Sequence, residues 1–522
     1  MSTSTAHHAH APLEGSARTW GTIALSAATF MNVLDTSIAN VSLPAIAGDL
    51  GVSPNQGTWV ITSFAVANAI AVPLTGWLSQ RFGQVRLFVG SVLLFVIASW
   101  LCGLAPSMEI LITARALQGF VAGPMIPLSQ SLLLSSYPPA LAGLAMAMWS
   151  ITTLVAPVTG PLLGGWITDN IAWPWIFYIN IPIGLLAAGA TWALYRVRET
   201  PTHRLPIDGV GLSLLVLWVG ALQIMLDKGK ELDWFHSSAI IALAAVAAVG
   251  FAFFLAWELT EEHPVVDLSL FKSRNFWSGA LALALGYGLF FGNVVLLPLW
   301  LQQYMGYTAT WAGMVMAPVG LLAIVLSPVV GKNIHKADAR YFATLAFVVF
   351  GLVLYMRSRF NTQADFYTIL VPTIIQGIAM AFFFIPLVTI TLSGIAPARM
   401  PAASGVSNFM RITAGAFGTS IATTLWEDRA SLHHAQMVEL VSSGRVATSE
   451  FFQGVSSAGL TSAQSLAQLN RLIDQQAFML ASSEIFYASA LAFIVLIPLV
   501  WICRPKTGAP KGQGPGVGAD AH

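Results

Sequence analysis

Gln118-Gly119-Phe120-Val121-Ala122-Gly123-Pro124-Met125-Ile126-Pro127 lies inside a long apolar stretch, and its skeleton returns later in the chain as Gln376-Gly377 with Pro386. Pro139-Ala140 follows the first copy and Pro397-Ala398 the second. Upstream, Thr58-Trp59 and Pro73-Leu74-Thr75-Gly76 are matched by Thr310-Trp311 and Pro328-Val329-Val330-Gly331. The offset is about 250–260 residues throughout, and the matches keep their order, which marks a duplicated unit.

Composition says in what solvent that unit folds. Of 522 residues, 56% are hydrophobic and 9% are charged, where a soluble domain carries about 25% charge. So few charges cannot cover a soluble surface of this size, and the chain reads as an all-α polytopic membrane protein. The net charge of +1 gives no footprint for nucleic acid. The two cysteines, Cys102 and Cys503, fall at opposite ends of their helices and cannot pair. No metal-ligand spacing or cofactor motif is present, and without a Walker-type phosphate loop the chain itself does not burn ATP.

A span needs about 20 apolar residues. Fourteen stretches meet this: 20–43, 58–79, 86–104, 109–133, 143–168, 175–195, 208–226, 237–258, 275–303, 309–331, 341–357, 366–393, 403–425 and 482–503. The repeat pairs the second and fourth with the tenth and twelfth. This predicts a tail at 1–19, a six-helix half at 20–198 and two inserted helices at 199–262. A second six-helix half follows at 263–503, then a tail at 504–522. Parallel six-helix halves around a central cavity work by rocking against each other. The first apolar stretch is too long for a signal peptide and stays as an anchor.

With the N-terminus inside, fifteen Lys and Arg fall on inner segments. Seven fall outside: Lys228, Lys230, Arg357, Arg359, Arg429, Arg445 and Arg471. This is the positive-inside bias, with both termini cytoplasmic. Residues 426–481 form one long outer loop, read as short amphipathic helices. It is either a solvated cap or a docking surface for a partner outside the membrane.

Charges inside spans are expensive, about 3 kcal/mol each on insertion scales. Asp35 lies about 22 Å along the first span from Trp20, and Arg115 about 9 Å into the fourth from Glu109. The spans run in opposite directions, so both residues reach similar depth in the outer half. Gln118 shares a helix face with Arg115. A cluster of Asp35, Arg115 and Gln118 reads as a proton-coupling site; the alternatives are a packing ion pair and a snorkelling Arg115. Desolvation favours the neutral carboxyl and a nearby cation the ionised one, so small changes in access move its proton. Arg411, with Asn408 at i−3, reads an anionic or polar substrate group or satisfies a broken helix.

The remaining cavity candidates are Met31, Asn32, Trp149, Tyr287, Phe290, Phe291, Asn293, Phe383, Phe384 and Phe409, apolar walls with a few polar groups. Pro157, Gly160, Pro161, Gly164 and Gly165 combine a double-proline kink with a close-approach face. They suggest a contact on which the halves rock. Gly76, Arg81, Gly83 and Arg86 form a tight inner hairpin whose charges latch a helix end.

Together these residues resemble the major facilitator superfamily. Gly76 to Arg86 is similar to its loop signature, with Gln80 where the family usually has an acid. Arg115 with Gln118-Gly119 is similar to its fourth-span signature, and Gly160 to Gly165 to its antiporter signature. Leu34-Asp35-Thr36-Ser37-Ile38-Ala39-Asn40-Val41 resembles the first span of the fourteen-span drug:proton antiporters. The resemblance implies proton-coupled efflux of hydrophobic drugs or toxic amphiphiles from a bacterial inner membrane. It also implies a periplasmic adaptor and an outer-membrane channel as partners, and no cofactor. Fatty-acid or specific-metabolite export is the near alternative and uptake symport a further one. One buried Asp and no histidine within a span argue against an enzyme.

Overall fold

A computed structural model describes residues 11–203, 206, 208–334, 336–441 and 446–504, and these are helical without a strand. The first half comprises α1 (Gly15–Asp49), α2 (Trp59–Ala71), α3 (Thr75–Phe82), α4 (Gln84–Gly103), α5 (Met108–Ala122), α6 (Met125–Ser136), α7 (Ala142–Asn170) and α8 (Asn180–Tyr195). The insertion is α9 (Gly209–Lys228) and α10 (Ser238–Thr260). The second half comprises α11 (Arg274–Gln303), α12 (Ala309–Met316), α13 (Pro318–Asn333), α14 (Ala339–Arg357), α15 (Phe366–Leu392), α16 (Met400–Leu440), α17 (Val446–Ser457) and α18 (Ser462–Ile502).

Eleven helices among the described residues are long and apolar enough to cross a membrane, or twelve with α2 and α3 taken as one bent span. The two other expected stretches are also helical, α7 and the first part of α16. The 63° bend between α2 and α3 falls at Pro73, whose ring clashes with the preceding turn and which has no N–H to donate. Gly83 separates α3 from α4 at a φ of 87°, a conformation that an L side chain rarely adopts. Asp365 caps α15 by accepting from the Thr368 backbone, and hydrogen bonding to Thr368 holds its carboxyl below the usual range.

Leu13 N donates to Ser136 O, Gly143 packs on Gly331 and Arg340 donates to Cys503 O, so α1 begins and α18 ends at the same end of the bundle. At this termini end the halves meet backbone to backbone. A Cβ on Gly76 would lie 2.6 Å from Ala402 Cβ, and one on Gly331 2.5 Å from the Gly143 carbonyl. Asn408 Nδ2 reaches Gln130 Oε1 across the same seam at 2.8 Å. At the far end α9 bridges both halves. Thr62 donates to Asp227, and Lys228 to Thr58 at 2.6 Å, on the first half. Ser420 donates to Leu226 O at 2.8 Å on the second.

Several expectations need correction. Helix α1 starts inside the expected tail, at Gly15. The 426–481 segment is not a set of short helices, because α16 and α18 each run on for 41 residues. Trp426 to Ser482 (2.8 Å), Arg429 to Glu484 (2.6 Å), His433 to Glu484 (3.0 Å) and His434 to Asp474 (2.8 Å) join them; only α17 is short. Lys228 and Arg357, counted as loop charges, end α9 and α14 with buried side chains. Both terminate apolar runs, where depth arithmetic cannot separate the last helical turn from the loop. Arg204, Arg445, Lys506 and Lys511 of the charge count lie outside the described residues, as do residues 1–10 and 505–522 of the tails.

Candidate functional site

Asp35 is 1% exposed and Arg115 fully buried, and their side chains meet at 2.5 Å. Five helices build the cluster: α1, α2, α4, α5 and α8. Gln118 donates to Asp35 Oδ1 at 3.0 Å, and Asn180, from the first turn of α8, donates to the same oxygen at 2.8 Å. Gln118 Oε1 accepts from Arg115 at 2.6 Å, and Ser99 of α4 accepts from both amides. Arg115 Nε donates to the Val60 carbonyl at 3.1 Å, and its guanidinium stacks over Phe64 at 4.3 Å. The carboxylate thus has three donors, one of them its counter-charge, in a buried site, the arrangement that lets a buried pair offset its desolvation. The donors come from α5 and α8, so the carboxylate on α1 is held by two neighbouring helices of the first half. Asn180 and Ser99 were not anticipated; their signal was a neutral polar residue in an apolar run.

The repeated glutamine plays the same part in the second half. Gln376 Oε1 accepts from Arg357 Nη2 at 2.6 Å, with Thr373 at 3.3 Å. Arg357 is 2% exposed, with no carboxylate in ion-pair range among the described residues. This third intramembrane cation has its charge met by amide and hydroxyl oxygens alone. Gln376→Leu is expected to strand it and cost roughly 1–3 kcal/mol of stability, read as a lower thermal unfolding midpoint. Adding Arg357→Met should restore the midpoint to at least wild type. A double variant less stable than Gln376→Leu alone would refute this.

Arg411, 6% exposed, donates to Asn408 Oδ1 at 2.9 Å. Its guanidinium lies 4.8 Å from the Tyr287 ring centroid and 5.9 Å from that of Phe384. Phe291 stacks on Tyr287 at 5.2 Å, and Phe290 lies 6.2 Å from it. These residues form one aromatic, cationic cluster, with Asn408 joining it to the seam. Asn293 lies one turn beyond Leu289, whose carbonyl it caps. Other cavity candidates turn elsewhere. Met31 sits against Gly184 of α8, and Asn32 donates to the Ala122 carbonyl. Trp149 donates to Ser129 and Phe409 meets Trp218 of the insertion, whereas Phe383 adjoins the cluster through Phe384 at 5.0 Å and packs on Phe347 and Phe350. Sequence depth set their height but not their rotation about the helix axis.

The α7 glycines also differ in role. Gly160 and Gly164 receive Ser37 and Ile38 of α1, within the first half, while Gly165 has no neighbour at its Cβ position. Pro157 accepts from Ser37 through its carbonyl. Helix α7 runs unbroken past Pro157 and Pro161, whose ring lies outside the described side chains. The half-to-half contact on this helix is at Gly143 instead. In the hairpin, Arg81 lies over Trp77 at 5.5 Å. Glu199 accepts from the Val85 and Arg86 amides at 3.0 and 2.8 Å, so an acid from after α8 caps α4. Arg86 contacts the same acid at 4.0 Å.

Residues 25–419 match the model of the Major Facilitator Superfamily. The chain is 52% identical over 504 residues to "Multidrug export protein EmrB" of Escherichia coli (strain K12), covering 96% of this chain and 98% of that protein. It is 51% identical to "Fatty acid resistance protein FarB" of Neisseria gonorrhoeae, covering 95% and 97%. Among solved structures, the human organic anion transporter MFSD10 (TETRAN) aligns with a TM-score of 0.58 at 12% identity, covering 93% of this chain and 100% of that one. The last likeness concerns the fold.

Proposed function

The chain belongs to the major facilitator superfamily, and from that premise we propose that it is a proton-driven exporter of hydrophobic compounds. The observation that carries the reading is the Asp35–Arg115–Gln118–Asn180 cluster: a buried carboxylate, ion-paired and hydrogen-bonded, in the middle of an apolar helix of the first half. Asp35 takes a proton from outside and releases it inside, and proton and substrate bias the same equilibrium in opposite senses. The multidrug and fatty-acid names of the relatives support drugs or toxic amphiphiles as cargo, with fatty-acid export the alternative.

The termini end is cytoplasmic in this reading, and the protein sits in a bacterial inner membrane. The 41-residue lengths of α16 and α18 correspond to about 60 Å of helix. Both therefore exceed a hydrocarbon core of about 30 Å. Their outer hairpin supports docking to a periplasmic adaptor, itself joined to an outer-membrane channel. The seam at Gly76–Ala402 and Gly143–Gly331 is the inner gate.

Inverted vesicles carrying the protein should accumulate dye only with a pH gradient; net uptake of the dye by intact cells would contradict export. Arg411 adds selectivity, since its guanidinium meets no carboxylate among the described residues. Arg411→Gln is expected to weaken export of carboxylate-bearing amphiphiles about tenfold, the worth of one charged hydrogen bond. Export of uncharged dyes should fall less than threefold. An equal loss for both would reject the anion-reading role.

A further inference from the structure

At the termini end of the second half, three helices bring arginines together. Arg274 opens α11, Arg340 lies in the first turn of α14, and Arg504 follows the end of α18. Arg274 Nε donates to Ile502 O at 2.7 Å and Arg340 Nη1 to Cys503 O at 3.2 Å, so both guanidiniums sit at the end of α18. Arg504 is fixed beside them: its N donates to Asn275 Oδ1 at 2.7 Å, and its carbonyl accepts from Asn275 Nδ2 at 3.0 Å. Asp338 is the one carboxylate here, held by Arg340 through Nε at 2.8 Å and Nη2 at 2.5 Å. Arg340 is thereby occupied. Arg274 and Arg504 are exposed, and neither has an ion-pair partner among the described residues. Three guanidiniums against one carboxylate leave the cluster positively charged.

The surroundings of this cluster suit the edge of a bilayer. Tyr341 and Trp501 are exposed and meet edge to face at 5.2 Å, and Arg340 lies over Trp501 at 4.9 Å. Tyrosine and tryptophan of this kind mark the headgroup level. From Tyr341 an exposed apolar stripe runs along α14 through Leu345, Val348 and Leu352, at helical spacing and away from the arginines. We propose that an anionic phospholipid binds here, its phosphate on Arg274 and Arg504, its ester region against Tyr341 and Trp501 and an acyl chain along the α14 stripe. A soluble phosphate would meet the arginines but leave the aromatic pair and the stripe uncovered. Because the two arginines come from α11 and the end of α18, the lipid ties these helices together and stabilises the second half. With the termini end cytoplasmic, as proposed above, it belongs to the inner leaflet; the binding itself does not depend on that orientation or on proton coupling.

The test is native mass spectrometry of the full chain released from detergent micelles, with dioleoylphosphatidylglycerol and dioleoylphosphatidylcholine as probes. The first phosphatidylglycerol should bind wild type about tenfold or more tightly than phosphatidylcholine, since two basic residues favour the anionic head. Arg274→Gln and Arg504→Gln should each weaken phosphatidylglycerol about fivefold, the worth of one basic residue beside an anionic lipid, and leave phosphatidylcholine unchanged. Arg196→Gln removes an exposed arginine at the same end of the first half and should leave both lipids unchanged. Arg504→Gln removes a side chain without an ion pair, so it carries the test if Arg274→Gln, which alters a contact to α18, does not fold. Saturating phosphatidylglycerol should also raise the unfolding midpoint of wild type more than that of Arg504→Gln. Equal affinity for the two lipids, or wild-type affinity in both cluster variants, overturns the site. An equal loss in Arg196→Gln would reduce it to general surface charge. Displacement of the lipid by glycerol 3-phosphate at equal concentration would make it a site for free phosphate and overturn the lipid assignment. Lipid binding without a raised midpoint overturns the stabilising role.

Discussion

Asp35→Asn is expected to bring pH-driven accumulation of substrate down to a ratio of about one. In proteoliposomes, one proton moving down a gradient of one pH unit supplies about 1.4 kcal/mol, a tenfold concentration ratio. An amide at this position cannot carry that proton, so the ratio collapses while substrate exchange without a gradient persists. Asp35→Glu keeps the titrating group and should retain part of the gradient-driven transport, which separates lost chemistry from lost packing. Gradient-driven accumulation by Asp35→Asn at the wild-type level would remove Asp35 from the coupling path.

The second large effect concerns stability. Asp35→Asn leaves Arg115 fully buried without its counter-charge, and a guanidinium cannot discharge itself by losing a proton. Stranding one member of a buried pair costs about 3–5 kcal/mol. Arg115→Met removes the other member. The remaining carboxyl can take up a proton, and it keeps Gln118 and Asn180 as donors. Its stability loss should be the smaller, about 1–3 kcal/mol, although gradient-driven accumulation is lost in both. Thermal unfolding of the purified variants should therefore rank wild type, then Arg115→Met, then Asp35→Asn. The reverse order of the two variants would mean that Arg115 is held by Val60, Phe64 and Gln118 rather than by charge.

How much of this was legible beforehand depends on which coordinate an argument needs. Depth along a helix follows from counting, since every residue adds a fixed rise. It brought Asp35, Arg115 and Gln118 to one level before any contact was known. The repeat gave the two halves and the inserted pair. Rotation about each axis was not legible, because long apolar stretches buried on several sides carry little periodicity. Met31 packs on Gly184 and Phe409 on Trp218, whereas Phe383 meets Phe384 beside Arg411, and depth alone could not separate these orientations.

Single glycines carry no signal of their own. Gly143 forms the seam with Gly331, while the conspicuous Gly160 and Gly164 serve packing on α1. Charges at the ends of apolar runs were misread in the same direction. Arg357 and Lys228 were counted with the outer loop charges, yet both side chains are buried. Asn180 completed the carboxylate's shell without any charge to betray it. The long outer helices were hidden by their polarity, since a span search stops where the apolar residues stop, whereas α16 and α18 do not.

The account as a whole stands on proton and substrate competing through Asp35. Its most direct test is the pH of a weakly buffered solution of the purified protein as substrate is added. The account predicts that wild type releases protons on binding and that Asp35→Asn, binding the same substrate, releases none. Equal proton release by the two proteins would contradict it.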